Sequence, residues 1–406
     1  MSLPFDVTRV RASYPALRDR HAYLDGAAGT QVPLPVIDAI AAAYRDGIGN
    51  VGGAFAASER SGRIVAAARQ AVADLVGGSA PGVVFGPSMT ALTYRIAGAL
   101  SKEWAPGDEV VVSRLDHDAN IRPWAQAAAR AGAVVRWAEA DPATGELPVP
   151  QYADLVGSRT RLVAVTAASN VIGTRPDVAA IAGIAHAAGA LCYVDGVHAT
   201  PHVPVDMAEL AADFYATSAY KWAGPHVAAV IAAPTLLQSL WPDKLVPSSD
   251  EVPERFERGT LPFADLAGMT AAVDHLAGLA PGSAGSAGGS RRERVLASMA
   301  AVEAYEMSLF ARLADGLGAM GHVTLHGKAA RRAPTAFFSV AGMTPRAVAV
   351  RLAERGINAW NGDNYAYELC KVLSLQPGGA VRAGLVHYND ASEVDRLLTA
   401  VAELAG

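Results

Sequence analysis

The 406 residues carry 34 Lys and Arg against 39 Asp and Glu, for a formal charge of -5, and 51% of them are hydrophobic while 18% are charged. That balance describes an ordinary globular chain and offers no electrostatic attraction for nucleic acid. The opening residues lack a cationic start followed by an apolar core, and no uncharged apolar run is long enough to span a bilayer, so a cytoplasmic protein without membrane contact is expected.

A chain of this length exceeds the usual size of one core, so two domains with a cleft between them are expected. From about residue 60 to 235, short β-branched runs alternate with alanine-rich helical stretches. This is the pattern of a mainly parallel sheet covered by helices on both faces. Strands read at GVVFG, DEVVVSR, AVVRWAE, RLVAVTAA, ALCYVD, DFYATS and HVAAVIAA. Helices fit Asn120 to Ala131 and Asp177 to Ala188, the second stopped by Gly189. The segment PGSAGSAGGS, 281 to 290, reads as a flexible loop near a domain boundary, and RRER then opens a long helix reaching roughly Leu317. Beyond it come a strand in APTAFFSVAG, an amphipathic helix from Thr344 with Pro345 in its first turn, and a terminal helix in ASEVDRLLTAVAELAG. The expected fold is α/β. A large domain over 16–260 holds the seven-stranded sheet, and 1–15 with 261–406 form a smaller α+β domain.

Two cysteines, Cys192 and Cys370, are too few for a disulfide framework or a cysteine-rich metal site, and no metal is expected. No G-x-G-x-x-G follows the first strands, which removes the dinucleotide-binding signature.

In open α/β sheets, ligands collect beyond the carboxyl ends of the strands. Asp116, His117 and Asn120 follow one strand, Asn170 the next, Asp195 and His198 a third, and Tyr220 and Lys221 a fourth. Each alone has an ordinary explanation, a turn-capping Asp or a solvated Lys. Four successive strand ends offering such groups to one cleft is the informative feature. Asp195 and Lys221 are the decisive pair. An aldehyde cofactor needs an amine to form a Schiff base, and a pyridine ring works as an electron sink when a buried carboxylate keeps its nitrogen protonated.

The surroundings of these two residues read TSAYKWAGPHVAAV and GALCYVDGVHATPHVPVD. With YLDGAAGTQVP, FGPSMTALTYRIAGAL, SRLDHDANIRPW, TAASNVIGT, ERGTLPF and VRAGLVHYNDASEVDRLL, they follow in one order along nearly the whole chain. In this the chain resembles the class V aminotransferase family, whose best-known members are the cysteine desulfurases. The resemblance implies the fold type I architecture and pyridoxal 5′-phosphate bound through Lys221. Lys221, His117 and Asp195 would be catalytic, His117 stacking on the ring, Asp195 pairing with its nitrogen, and Asn170 and His198 lying near its phenolic oxygen. The phosphate would rest on the Ser88-Met89-Thr90 helix start, where backbone N–H groups favour an anion, and on Ser218 and Tyr220. Gly259 and Thr260 of a second copy would complete that site, so the resemblance implies a homodimer. Arg382 would grip a substrate α-carboxylate, implying an amino acid as the small-molecule substrate, with Tyr365 also against it.

The chain departs from the desulfurases at one place that matters. They carry a nucleophilic Cys in an Arg-x-Gly-x-x-Cys loop, and the corresponding stretch here, Trp360 to Tyr365, puts Tyr365 at the Cys position. Cys370 follows inside YELCKVL, which reads as a packed helix, although a shifted loop would bring its thiol nearer. Tyr220 stands where desulfurases commonly have His. The expected activity is desulfurase-like chemistry on an amino acid, a carbon–sulfur β-bond lyase without the persulfide Cys. An amino acid epimerase or aminotransferase is the alternative within the family, and a catalytically silent scaffold is the alternative outside it.

Overall fold

The computed structural model describes residues 5–280 and 289–404, so most of the loop expected over 281–290 lies outside the described residues. Seven strands form the central sheet: β1 (Val83–Gly86), β2 (Glu109–Ser113), β3 (Val134–Ala138), β4 (Thr160–Thr166), β5 (Leu191–Asp195), β6 (Phe214–Ser218) and β7 (Ala228–Ala232). Their order is β1-β7-β6-β5-β4-β2-β3. β7 is antiparallel to β1 and β6, and every other pairing is parallel. These are the seven runs read from the sequence, and the architecture is the α/β fold expected.

The runs are apolar throughout because both faces are covered. Val111, Val163 and Val194 belong to one apolar cluster, while their neighbours Val110, Leu162 and Tyr193 belong to another on the opposite face. This is the period-two alternation of a strand. Burying one such side chain stabilises the fold by about 1.5–3 kcal/mol, so one polar substitution in β2 or β4 is enough to disrupt the layer.

Helices begin where side chains satisfy free N–H groups. Ser88 caps the Met89–Leu100 helix by accepting from the Ala91 N–H at 3.1 Å. Asp177 caps Val178–Ala187, and Gly189 beyond it has φ +78°. Ser290 and Glu293 form a capping box at the head of Arg291–Gly318. The helix expected from Asn120 starts later. Asp118–Asn120 is a 3-10 turn and the α-helix runs Arg122–Ala131, with Pro123 in the first turn, where its missing N–H costs nothing.

A second sheet contains β8 (Val323–His326), β9 (Thr335–Val340), β10 (Trp360–Gly362) and β11 (Ala380–Gly384), all antiparallel in the order β10-β11-β9-β8. Phe338, Val381, Leu313 and Leu397 share its separate core. Ala22–Tyr23 pairs with Ile357–Asn358 in a short parallel ladder, and Asp25 bridges to Gly384. The turn after residue 23 is thereby held against the end of β11. Among the described residues no helix is long and apolar enough to cross a membrane.

Candidate active site

Parallel strands end on one edge of the sheet, so the loops after β2, β4, β5 and β6 converge there. One cavity at this edge is lined by Ser88, Met89 and Thr90 from a helix start, with His117 and Asn170. Asp195, His198, Ser218, Tyr220 and Lys221 complete the wall. Asp116 and Asn120, from the same strand ends, stand behind it. Asn120 donates to Asp116 at 2.7 Å and accepts from Trp124 at 3.0 Å, which is a turn-bracing network.

Asp195 closes β5 and is buried, and its Oδ1 accepts from the Val197 N–H at 2.9 Å. Burial raises its carboxyl pKa, while the Val197 N–H and the Lys221 ammonium oppose that rise. Lys221 ends the Ala219–Lys221 turn and is also buried. Burial and the Arg382 guanidinium lower its ammonium pKa, and Asp195 opposes them. Each group therefore keeps its charge partly through the other.

Burial, aided by the Lys221 and Arg382 charges, holds the His117 imidazolium down to about 3. Its Nδ1 accepts from the Ala119 N–H at 3.0 Å, so the neutral ring carries its proton on Nε2. His198 Nε2 meets the Thr335 hydroxyl at 2.9 Å, and burial, with His202 beside it, pushes its pKa well down. Asn170 donates through Nδ2 to the Asn364 carbonyl at 2.8 Å. His198 Nδ1 and Asn170 Oδ1 are buried without a protein partner. Buried polar atoms are nearly always satisfied. Two such atoms beside an Asp–Lys pair and a helix N-terminus fit pyridoxal phosphate, which has a ring oxygen, a basic nitrogen, an aldehyde and a dianionic tail.

A second cavity shares His117, Asn170, Tyr220 and Lys221 with the first and adds Ala27, Ala28, Trp360, Asp363, Tyr365 and Arg382. Arg382 lies buried on β11, and although burial lowers its pKa to about 10 it stays charged at neutral pH. Tyr365 is 71% exposed with φ +62°. Its carbonyl accepts from the Asp118 N–H at 2.8 Å, and its ring stacks on His117 with centroids 5.3 Å apart.

Cys370 lines neither cavity. It is buried in the Tyr367–Val372 helix, and burial, with Asp363 adding to it, pushes its thiol up to about 12. Gly259 and Thr260 are exposed and line neither cavity of this chain. The segment leading to them is anchored, because Glu257 accepts from both terminal nitrogens of Arg69 at 2.9 Å and from the Phe85 N–H at 2.8 Å.

Sequence reasoning did not single out Ala27, Ala28 and Trp360, which line the second cavity, nor Asp25, which lines neither cavity but shares the turn with the two alanines. Burial raises the Asp25 carboxyl to about 6, against the pull of Arg382, and its Oδ1 has no hydrogen-bond partner. Thr30, in the same turn, donates its backbone N–H to the Tyr220 carbonyl at 2.9 Å and accepts from the Ala223 N–H at 2.8 Å. The small-residue run GAAG suits a tight turn, but nothing local says which lysine it faces.

The chain is similar to known proteins over nearly its whole length. The aminotransferase class V family model matches residues 22–285 and 294–397. An uncharacterised protein of Mycobacterium tuberculosis is 38% identical over 404 residues, covering 99% of this chain and 100% of its own. A probable cysteine desulfurase of Pseudomonas aeruginosa is 35% identical over 419 residues, covering 99% and 98%. The apo structure of a cysteine desulfurase from Thermococcus onnurineus superposes with a TM-score of 0.89 at 26% identity, covering 100% of this chain and 99% of that one.

Proposed function

The chain belongs to the class V aminotransferase family and is a pyridoxal-phosphate-dependent enzyme; from that premise we propose that it cleaves a carbon–sulfur bond at the β-carbon of an α-amino acid without a persulfide cysteine. One observation carries the reading: Cys192 and Cys370 are both buried outside the cavities, while Tyr365, which the resemblance sets at the position of the sulfur-accepting Cys, lines the second cavity. A sulfur acceptor must be a thiolate, and a buried thiol raised to about 12 does not supply one.

Bound pyridoxal phosphate supplies the electron sink for charge that develops at the substrate α-carbon. The protein's residues do the rest. Ser88, Thr90, Ser218 and Tyr220 would receive the phosphate, and Asp195 would keep the ring nitrogen protonated. Neutral His117 would offer its flat face to the ring, and Asn170 and His198 would meet its oxygen. Arg382 orients the substrate through its carboxylate. Lys221, with burial favouring its neutral form, takes the α-proton as general base. Departure of the β-sulfur as a thiolate, followed by addition of water, leaves pyruvate and ammonia.

A second copy of the chain would bring Gly259 and Thr260 to the phosphate, their exposure and the braced segment before them supporting a homodimer. Two free buried thiols suit a reducing compartment, the cytoplasm.

The test is to incubate the holoenzyme with cysteine, cystine and S-substituted cysteines while following keto acid, thiol and substrate chirality. Pyruvate and thiol released in equal amounts support the lyase. Inverted chirality without pyruvate would make the chain an epimerase, and an aminated cofactor with a keto acid would make it an aminotransferase. A protein that changes none of them would be a silent scaffold.

A further inference from the structure

Trp360 and Tyr365 stand exposed, at 52% and 71%, on the wall of the cavity that also holds Arg382 and Lys221. One exposed aromatic needs no explanation, but two on the wall of one cavity beside a binding group suit a ligand-binding surface. The backbone of each is held in place. Trp360 pairs with Arg382 across β10 and β11, so indole and guanidinium lie side by side on one face of the sheet. The Tyr365 N–H donates to Asp363 Oδ1 at 3.1 Å, its carbonyl is tied to Asp118, and its ring rests on His117. Its backbone is left-handed at φ +62°, a conformation that a bulky residue occupies at a cost.

The acidic side chain of this loop, Asp363, is already used. Asp363 accepts from Tyr365 through Oδ1 and from Gln376 through Oδ2 at 3.3 Å, so it braces the loop instead of awaiting a cation. Ala27 and Ala28 add methyl groups to the same cavity. An amino acid whose carboxylate meets Arg382 and whose α-carbon meets Lys221 has its side chain in the cavity that these two aromatic residues line.

We propose that Trp360 and Tyr365 select the substrate's side chain, favouring α-amino acids that carry an aromatic ring on or beyond the β-carbon over those with short aliphatic or charged groups. The inference rests on the amino-acid site proposed above. An aromatic side chain has only two side-chain torsions to lose on binding, and each aromatic contact is worth roughly three- to tenfold in affinity.

The experiment titrates the holoenzyme's cofactor absorbance with L-alanine and L-phenylalanine, neither of which has a β leaving group, so the reading does not depend on lyase chemistry. Phenylalanine is expected to bind at least tenfold more tightly than alanine. Trp360→Ala and Tyr365→Ala should each lower that ratio at least threefold, and Tyr365→Phe, which keeps the ring, should retain it. Equal affinities in the unaltered enzyme, or a ratio that neither alanine variant lowers, overturn the aromatic preference while leaving the amino-acid site standing. Absence of any spectral change with either amino acid removes the site itself, and this inference with it.

Discussion

Arg382, on the second sheet, donates through Nη1 to the backbone carbonyl of Asn170, just beyond the end of β4 in the central sheet, at 2.9 Å. One hydrogen bond thus ties the candidate carboxylate anchor to a residue that also lines the candidate cofactor cavity. A guanidinium has five donors, so this contact leaves others for a ligand.

Replacing Arg382 by Lys keeps the charge and loses the planar fork. Hydrogen bonds to charged groups contribute about 1.5–3 kcal/mol, which corresponds to a KM roughly 10- to 100-fold higher for α-amino acids. Amines lacking the carboxylate should show unchanged constants. Steady-state kinetics on such a matched pair decides the matter, and a KM within threefold of the unaltered enzyme removes Arg382 from that role.

Lys221→Ala should abolish covalent retention of pyridoxal phosphate, visible as release of the chromophore on gel filtration. Exchange of the substrate α-proton with solvent should fall by about 10²–10⁴, the usual share of a general base. Exchange at the original rate would mean that another group removes the proton.

Asp25 gives a pH-dependent signature. Its carboxyl is raised from 3.8 to about 6 by burial. Between those values the native chain keeps the proton and the unfolded chain has lost it. Stability contributed by this group is therefore present at low pH, falls as pH rises through that window, and is level above it. The shift corresponds to about 3 kcal/mol. In urea unfolding of the apoprotein, Asp25→Asn should accordingly gain on the unaltered chain between pH 4 and pH 7. A difference independent of pH would show that Asp25 ionises normally.

Both thiols are fully buried. Alkylating reagents should leave the folded protein unmodified and label both cysteines after denaturation. Cys370→Ala should keep the rate of keto acid release within about twofold while costing about 1 kcal/mol of stability from the cavity it leaves. A persulfide found on Cys370 by mass spectrometry after turnover of cysteine would refute the acceptor-free reading.

Much of this protein was legible before any tertiary contact was known. The seven central strands declared themselves because each is covered on both faces and so must be written as a short unbroken apolar run. The helix caps at Ser290 and Thr344 depend on neighbours within three residues. Asp195 and Lys221 were identifiable because parallel strands deliver their carboxyl ends to one edge whatever the loops do. Other features depended on pairing between distant segments. Trp360 stands beside Arg382 through the β10–β11 register, and Asn170 meets Arg382 across 212 positions. The turn at Asp25 reaches the site because its strand pairs with Ile357–Asn358. Cys370 is withdrawn from the cavity because its helix turns that side chain into the main core. Local patterns record burial and capping, which each residue feels through its immediate neighbours; which loop faces which lysine is decided by strand register and sheet-to-sheet packing, summed over the whole chain.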